Sequence, residues 1–135
     1  GAPVSVQSMC CTNPQDVDAP HRQISALAAA GCDIGRLAVP DMDAARAISA
    51  IKERSSLPIV ADIHFDHKLA IEAARRGADK IRINPGNIGG PENVAKVARE
   101  CSLHNIPIRI GVNGGSLEKS LISMYGHPTD EAMLV

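Results

Sequence analysis

Aromatic residues are almost missing from this chain. Its 135 residues include one phenylalanine, Phe65, one tyrosine, Tyr125, and no tryptophan. Stacking platforms for nucleic-acid bases need several exposed rings, and aromatic-rich interfaces need more than two. No charge of one sign dominates either. The formal net charge is −1 with 21% charged residues, so no global field draws the chain to nucleic acid or to a membrane surface. No stretch approaches the roughly 18 apolar residues of a membrane-spanning helix, and no basic-then-apolar leader opens the sequence. The four cysteines, Cys10, Cys11, Cys32 and Cys101, show neither CxxC spacing nor a disulfide framework. Cys32 and Cys101 lie beside apolar runs and are expected to be small buried hydrophobes. Reduced thiols and a cytoplasmic setting are the matching expectation.

Ile, Val, Leu and Ala supply the apolar mass, the usual filling of an α/β interior, in a length that suits one domain with a modest core. Strand-like runs stand at 3–9 (PVSVQSM), 32–40 (CDIGRLAVP), 57–64 (LPIVADIH), 78–86 (ADKIRINPG) and 106–113 (IPIRIGVN). Helical periods fill 21–31, 42–55, 67–77, 91–105 and 115–126, and PTDEAMLV at 128–135 begins another. Pro20 marks the first turn of one helix, Asp41 is placed as the N-cap of the next, and Pro91 opens a third. Strands alternating with helices every ~20–25 residues predict βαβ units and a parallel sheet.

An internal repeat sharpens the fold class. GCDIGRLAVP (31–40) aligns with GADKIRINPG (77–86), which sets Arg36 on Arg82, and LPIVADIH (57–64) aligns with IPIRIGVN (106–113), which sets His64 on Asn113. A two-strand period suits a TIM (β/α)8 barrel, whose alternate strands fill the same side-chain layers. A general preference of βα loops for Gly, Ala and Asp would also produce part of this match. A closed barrel takes about 250 residues, so the chain is expected to be either the front part of a longer barrel or an open doubly wound sheet. The helix begun at 128–135 favours the barrel, and the strand-like opening suggests a trimmed start.

In parallel α/β folds the site lies at the C-terminal ends of the strands. Each strand here offers polar groups near that end: Gln7 and Ser8, then Arg36 and Asp41, then Asp62 and His64, then Arg82 and Asn84, then Arg109 and Asn113. Arg82 stands between Ile81 and Ile83, and Arg109 between Ile108 and Ile110. If the isoleucines face the helices, both arginines face the barrel interior near its mouth, with Arg36 as a third. Buried guanidinium groups need partners, and Asp33 and Asp62 are the candidates. Three arginines around one mouth would leave positive charge over for an anion, and planar forks suit phosphate or diphosphate. Purely structural ion pairs are the alternative. NPGNIGG (84–90) and GVNGG (111–115) can aim backbone N–H groups at a phosphate, although sharp βα turns would explain them equally. Asp62 and His64, at i and i+2 on one strand face, suit an acid–base pair, metal ligands, substrate hydrogen bonds or a rim-bonded structural histidine. No third ligand accompanies His64 and His67, so zinc is not expected. Arg75-Arg76 and Glu118-Lys119 read as solvated helix faces.

PVSVQSM, GCDIGRLAVPDM, PIVADIHFD, KIRINPGNIG and IPIRIGVNGGSLEK together resemble the N-terminal barrel of the 4-hydroxy-3-methylbut-2-enyl diphosphate synthase family, over nearly the whole chain. The resemblance implies a reductive ring opening of 2-C-methyl-D-erythritol 2,4-cyclodiphosphate late in the methylerythritol phosphate route to isoprenoids. It also implies a [4Fe–4S] cluster, flavodoxin or ferredoxin as electron donor, and a homodimer in which one subunit's cluster domain caps the other's barrel. The family's diphosphate-binding arginines match Arg36, Arg82 and Arg109, and its asparagine matches Asn113. Asn84, Asp62 and His64 stand in matching rim motifs as substrate contacts or supports. The cluster ligands, a catalytic glutamate and a diphosphate-binding lysine belong to positions beyond residue 135. Residues 1–135 are therefore expected to be a partial barrel without the C-terminal iron–sulfur domain, inactive alone, and prone to associate through open strand edges. Three features depart from the family pattern. Cys10 and Cys11 replace threonine and asparagine, Pro20 interrupts a helix, and Gly35 replaces a β-branched residue and is expected to weaken packing. Two other classes remain open, a pterin-binding synthase type of barrel enzyme and a non-catalytic anion-binding module.

Overall fold

The computed structural model describes residues 3–12, 16–117 and 119–134. Five strands alternate with helices along the chain: β1 (Gln7–Met9), α1 (Asp18–Ala29), β2 (Ile34–Ala38), α2 (Met42–Arg54), β3 (Ile59–Asp62), α3 (His67–Arg75), β4 (Lys80–Ile83), α4 (Pro91–Leu103) and β5 (Ile108–Ile110). A single 3-10 turn at Gly114–Ser116 and two short helices, α5 (Lys119–Tyr125) and α6 (Asp130–Leu134), follow. The strands are shorter than their apolar runs because only the paired residues join the ladder. Val4 and Val6 precede β1 and are exposed, although the Val6 carbonyl still accepts from the N–H groups of Asp33 and Ile34. The expected helix at 115–126 divides into the 3-10 turn and α5. Glu118 lies outside the described residues.

Helix starts follow local chemistry. Asp41 caps α2 by accepting from the Ala44 N–H at 2.8 Å, and Asp66 caps α3 through the Lys68 N–H at 2.8 Å. Such caps satisfy donors that the first turn leaves unpaired. Pro20 is the third residue of α1, where its missing N–H costs nothing because that donor has no partner inside the helix.

All five strands are parallel and lie side by side in chain order. This order decides between the two architectures open to the sequence. A doubly wound sheet reverses its strand order and carries helices on both faces. Right-handed crossovers between sequential neighbours put every helix on one face, and α1 to α4 accordingly pack in succession, each against the next. The arrangement is a TIM-barrel segment.

The core lies between that helix layer and the outer face of the strands. Ile81, Ile83, Ile63, Val97 and Cys101 are buried with the small alanines of α3 in one cluster, and Ile24, Leu37, Ile51, Ile59, Cys10 and Cys32 form a second. Each large aliphatic side chain stabilises the fold by roughly 1.5–3 kcal/mol. Gly35 leaves room for one methyl. A methyl built on it would lie 3.4 Å from Ile59 Cδ1 and 3.7 Å from Ile24 Cγ1. The expected packing weakness amounts to one unfilled methyl position between two isoleucines. Arg75 and Arg76 are more than solvated charges. Arg75 Nε donates to Glu100 Oε1 at 2.8 Å and ties α3 to α4, while Arg76, at the C-terminal cap of α3, pairs back with Glu72.

Candidate functional site

The isoleucines flanking Arg82 are buried against the helices, so alternation along the strand turns Arg82 to the opposite, inner face. The same alternation turns Gln7, Met9, Arg36, Val60, Asp62, Arg109 and Gly111 inward. Their relative heights follow from register. Arg36 pairs with Val60, Asp62 with Arg82, and Arg82 with Arg109. In a barrel of shear 8 over eight strands, staying at one height means advancing about one residue per strand. Arg36 on β2 and Arg82 on β4 therefore occupy the same layer. Asp62, on the strand between them, stands one step nearer the mouth. Arg109 stands one step below Arg82, in the layer of Gln7 and Val60.

This staircase explains the contacts. Arg36 Nη2 donates to Asp62 Oδ2 at 2.7 Å, and Arg82 Nη1 donates to Asp62 Oδ1 at 3.2 Å. One carboxylate, with its side chain 2% exposed, serves two guanidinium groups that are 22% and 18% exposed. His64, two residues past β3, brings Nε2 to 3.3 Å from Asp62 Oδ2 and is about half exposed. Arg109 Nη1 reaches Gln7 Oε1 at 3.5 Å, as shared layer membership requires. Among the described residues Arg109 meets no carboxylate. Three guanidinium charges less the Asp62 carboxylate leave two positive charges in this group of side chains. Arg36 Nε is buried and finds no hydrogen-bond partner among the described residues.

Four of the seven predicted site residues thus form one cluster: Arg36, Asp62, His64 and Arg82. Arg109 adjoins it. Asn84 is buried just past β4, and its Oδ1 accepts the Gly86 N–H at 3.1 Å. That bond shapes the NPG turn. Asn113 is exposed beyond β5 and bonds within its own turn, where its carbonyl accepts the Ser116 hydroxyl at 2.9 Å. Asp33, the other carboxylate considered for the arginines, is not used. It precedes β2, at the far end from the mouth, and accepts the Val6 N–H at 2.8 Å.

Two participants lie outside the residues predicted to bind. Gln7 is one; it was read as a polar ending of its strand but opens β1, and its reach to Arg109 depends on register. Gly111 is the other. The Arg82 guanidinium lies against it, so that a methyl there would stand 2.6 Å from Arg82 Nε and 2.9 Å from Cζ.

An iron–sulfur cluster does not fit these residues. Cubane clusters need several ligands converging on one point. Among the described residues no three metal-ligating side chains meet. Burial pushes the Cys10 thiol up to about 11, with Cys11 and Cys32 adding to it. Burial, then the nearby Glu100, pushes Cys101 up to about 11 as well. Neither thiol offers a thiolate at neutral pH. Among the described residues no helix is long and apolar enough to cross a membrane.

Comparison with known proteins gives one consistent result. A family model described as the GcpE TIM-barrel domain matches residues 1–135. The chain is 57% identical over 128 residues to 4-hydroxy-3-methylbut-2-en-1-yl diphosphate synthase (flavodoxin) of Desulfotalea psychrophila, covering 95% of this chain and 35% of that protein. It is 57% identical over 133 residues to the protein of the same name from Geobacter sulfurreducens, covering 98% and 38%. For the Caldicellulosiruptor saccharolyticus protein the figures are 54% over 134 residues, 99% and 39%. The chain therefore spans between a third and two-fifths of the length of these curated relatives.

Proposed function

Because the chain belongs to the GcpE TIM-barrel domain family, we propose that it is the substrate-binding barrel portion of a longer reductase. That enzyme converts 2-C-methyl-D-erythritol 2,4-cyclodiphosphate to (E)-4-hydroxy-3-methylbut-2-enyl diphosphate with two electrons and loss of water. The observation that carries the reading is the Arg36–Asp62–Arg82 cluster with Arg109 beside it. A cyclic diphosphate bears one anionic oxygen on each phosphorus. Its two negative charges match the two positive charges that the cluster leaves over. Each arginine engages Asp62 through a single nitrogen, so the rest of each planar fork is available to phosphoryl oxygens.

In this reading Arg36, Arg82 and Arg109 bind the diphosphate, and Asp62 holds two of them in place before the ligand arrives. Prepaid order of this kind is what converts contact into affinity. Asn84 and Asn113 shape the two rim turns, and His64 stands at the exposed edge of the cluster, within reach of substrate. The electrons come from a [4Fe–4S] cluster held by residues outside this chain, in a C-terminal iron–sulfur domain. The relatives' name points to flavodoxin as the donor, with ferredoxin as the other candidate. The full-length enzyme is a cytoplasmic homodimer in which a partner's cluster domain covers the barrel mouth, and the present segment alone turns nothing over.

The test is calorimetric titration of the cyclic diphosphate into the full-length protein and its Arg36→Ala, Arg82→Ala and Arg109→Ala variants. Each loss should weaken binding by about tenfold or more, the worth of one charge-assisted contact. Wild-type affinity in all three variants would sink the assignment.

A further inference from the structure

Gly111 is not a turn glycine. Its backbone carries no positive φ, and its N–H donates to the Ile83 carbonyl at 2.9 Å, continuing the β4–β5 ladder. Any residue could adopt that conformation. The reason for glycine lies instead in what occupies the space. Arg82 rises toward the mouth between two neighbours one step above it, Asp62 on β3 and Gly111 just past β5. On one side it finds a carboxylate. On the other it finds no side chain, and the guanidinium fills that space, with Nε within 2.6 Å of where a Cβ would stand.

We propose that Gly111 is a positioning residue for Arg82: its missing side chain is the seat in which the guanidinium lies while Asp62 holds it from the opposite side. The inference rests on the reading of the rim as a diphosphate site. It adds a residue that acts on the ligand only through Arg82. A methyl at position 111 cannot share the space, because heavy atoms at 2.6 Å overlap. The atoms it meets belong to the end of a flexible side chain, so the arginine moves and the backbone stays. The 3.2 Å bond from Arg82 to Asp62 is then lost or re-aimed, and one fork leaves the anion site.

Four forms of the full-length protein test this: wild type, Gly111→Ala, Arg82→Ala and the double variant. Dissociation constants for the cyclic diphosphate are measured alongside the Arg82 Nε–H resonance in nitrogen-15 spectra. Gly111→Ala should weaken binding by about tenfold or more and shift the Arg82 signal, while the melting temperature falls by less than in Asp62→Asn because Asp62 keeps its bond to Arg36. The double variant should bind no more weakly than Arg82→Ala alone, since coupled residues are non-additive. Lysine at 82 in the alanine-111 background should recover part of the affinity, because a slim ammonium stem passes the methyl while the charge is kept. Overturning results are wild-type affinity in Gly111→Ala, or losses that multiply in the double variant. If Gly111→Ala fails to fold, Arg82→Lys in the same background decides: recovery of fold and affinity supports the proposal, and no recovery overturns it. If Arg82→Ala itself binds as wild type, the diphosphate reading fails instead, whatever Gly111 does.

Discussion

Replacing Asp62 by asparagine keeps the shape of the side chain and removes its charge. The carboxylate accepts from Arg36 at 2.7 Å and from Arg82 at 3.2 Å through different oxygens. The amide retains one acceptor, while its NH2 group points donors at the second guanidinium. Two guanidinium groups held by one carboxylate are on the order of 7 Å apart, a repulsion of about 2 kcal/mol at an effective dielectric near 20. Removing one partner from a buried pair costs about 3–5 kcal/mol. The arginines here are 22% and 18% exposed, so water takes up part of the loss and the lower end, about 3 kcal/mol, applies. For a barrel of this family's size each kcal/mol is worth roughly 2–4 °C, which places the fall in melting temperature at roughly 6–12 °C. The assay is differential scanning calorimetry of the barrel transition at low salt, at high salt, and with inorganic pyrophosphate. Salt should narrow the deficit by screening the repulsion, and pyrophosphate should narrow it further by bridging the two forks. A variant melting within about 2 °C of wild type would refute the claim that Asp62 holds the arginines.

Gly35→Ala should raise stability by roughly 0.5–1 kcal/mol, because glycine costs entropy inside a strand and the new methyl meets Ile59 and Ile24 at ordinary contact distance; a lower denaturation midpoint would contradict this. Iodoacetamide under native conditions at pH 8 should alkylate Cys11, which is exposed, and spare Cys10, Cys32 and Cys101, which are buried, as peptide mass mapping would read. Glu100 is held below its ordinary carboxyl value, 4.5, by hydrogen bonds from Arg75 first and by His104 last. A depressed folded value means that its stabilising contribution is present above pH 4.5 and lost as pH falls through the lower value. Acid titration followed by circular dichroism should therefore separate Glu100→Gln from wild type near neutrality, with the two converging below pH 4.5.

The alternation of elements was legible because each helix carries its own cap or stop and each strand its own β-branched run. Strand ends were not, since β1 and β5 reach only as far as their single neighbours pair with them. The internal repeat put Arg36 and Arg82 in one layer, and the register agrees: two strands apart, they sit two residues apart along the ladder. Which aspartate they use was not legible. Asp33 stands just before β2 and Asp62 ends β3, and only the height of each along the barrel axis separates a carboxylate at the mouth from one at the base. Gly111 falls both in the strand run 106–113 and in the glycine loop 111–115, and neither assignment points to Arg82. Its contact is with a side chain on the adjacent strand, which no local pattern reveals. Asn84 reads as a polar rim group in sequence, but in space its Oδ1 turns back on Gly86.

The most direct test of the account is the affinity of the full-length protein for the cyclic diphosphate, measured for wild type, for Arg36→Ala, Arg82→Ala and Arg109→Ala, and for Arg99→Ala on the exposed face of α4. The account predicts about tenfold or greater losses for the three inner-face arginines and none for Arg99. Equal losses in all four, or in none, would contradict it.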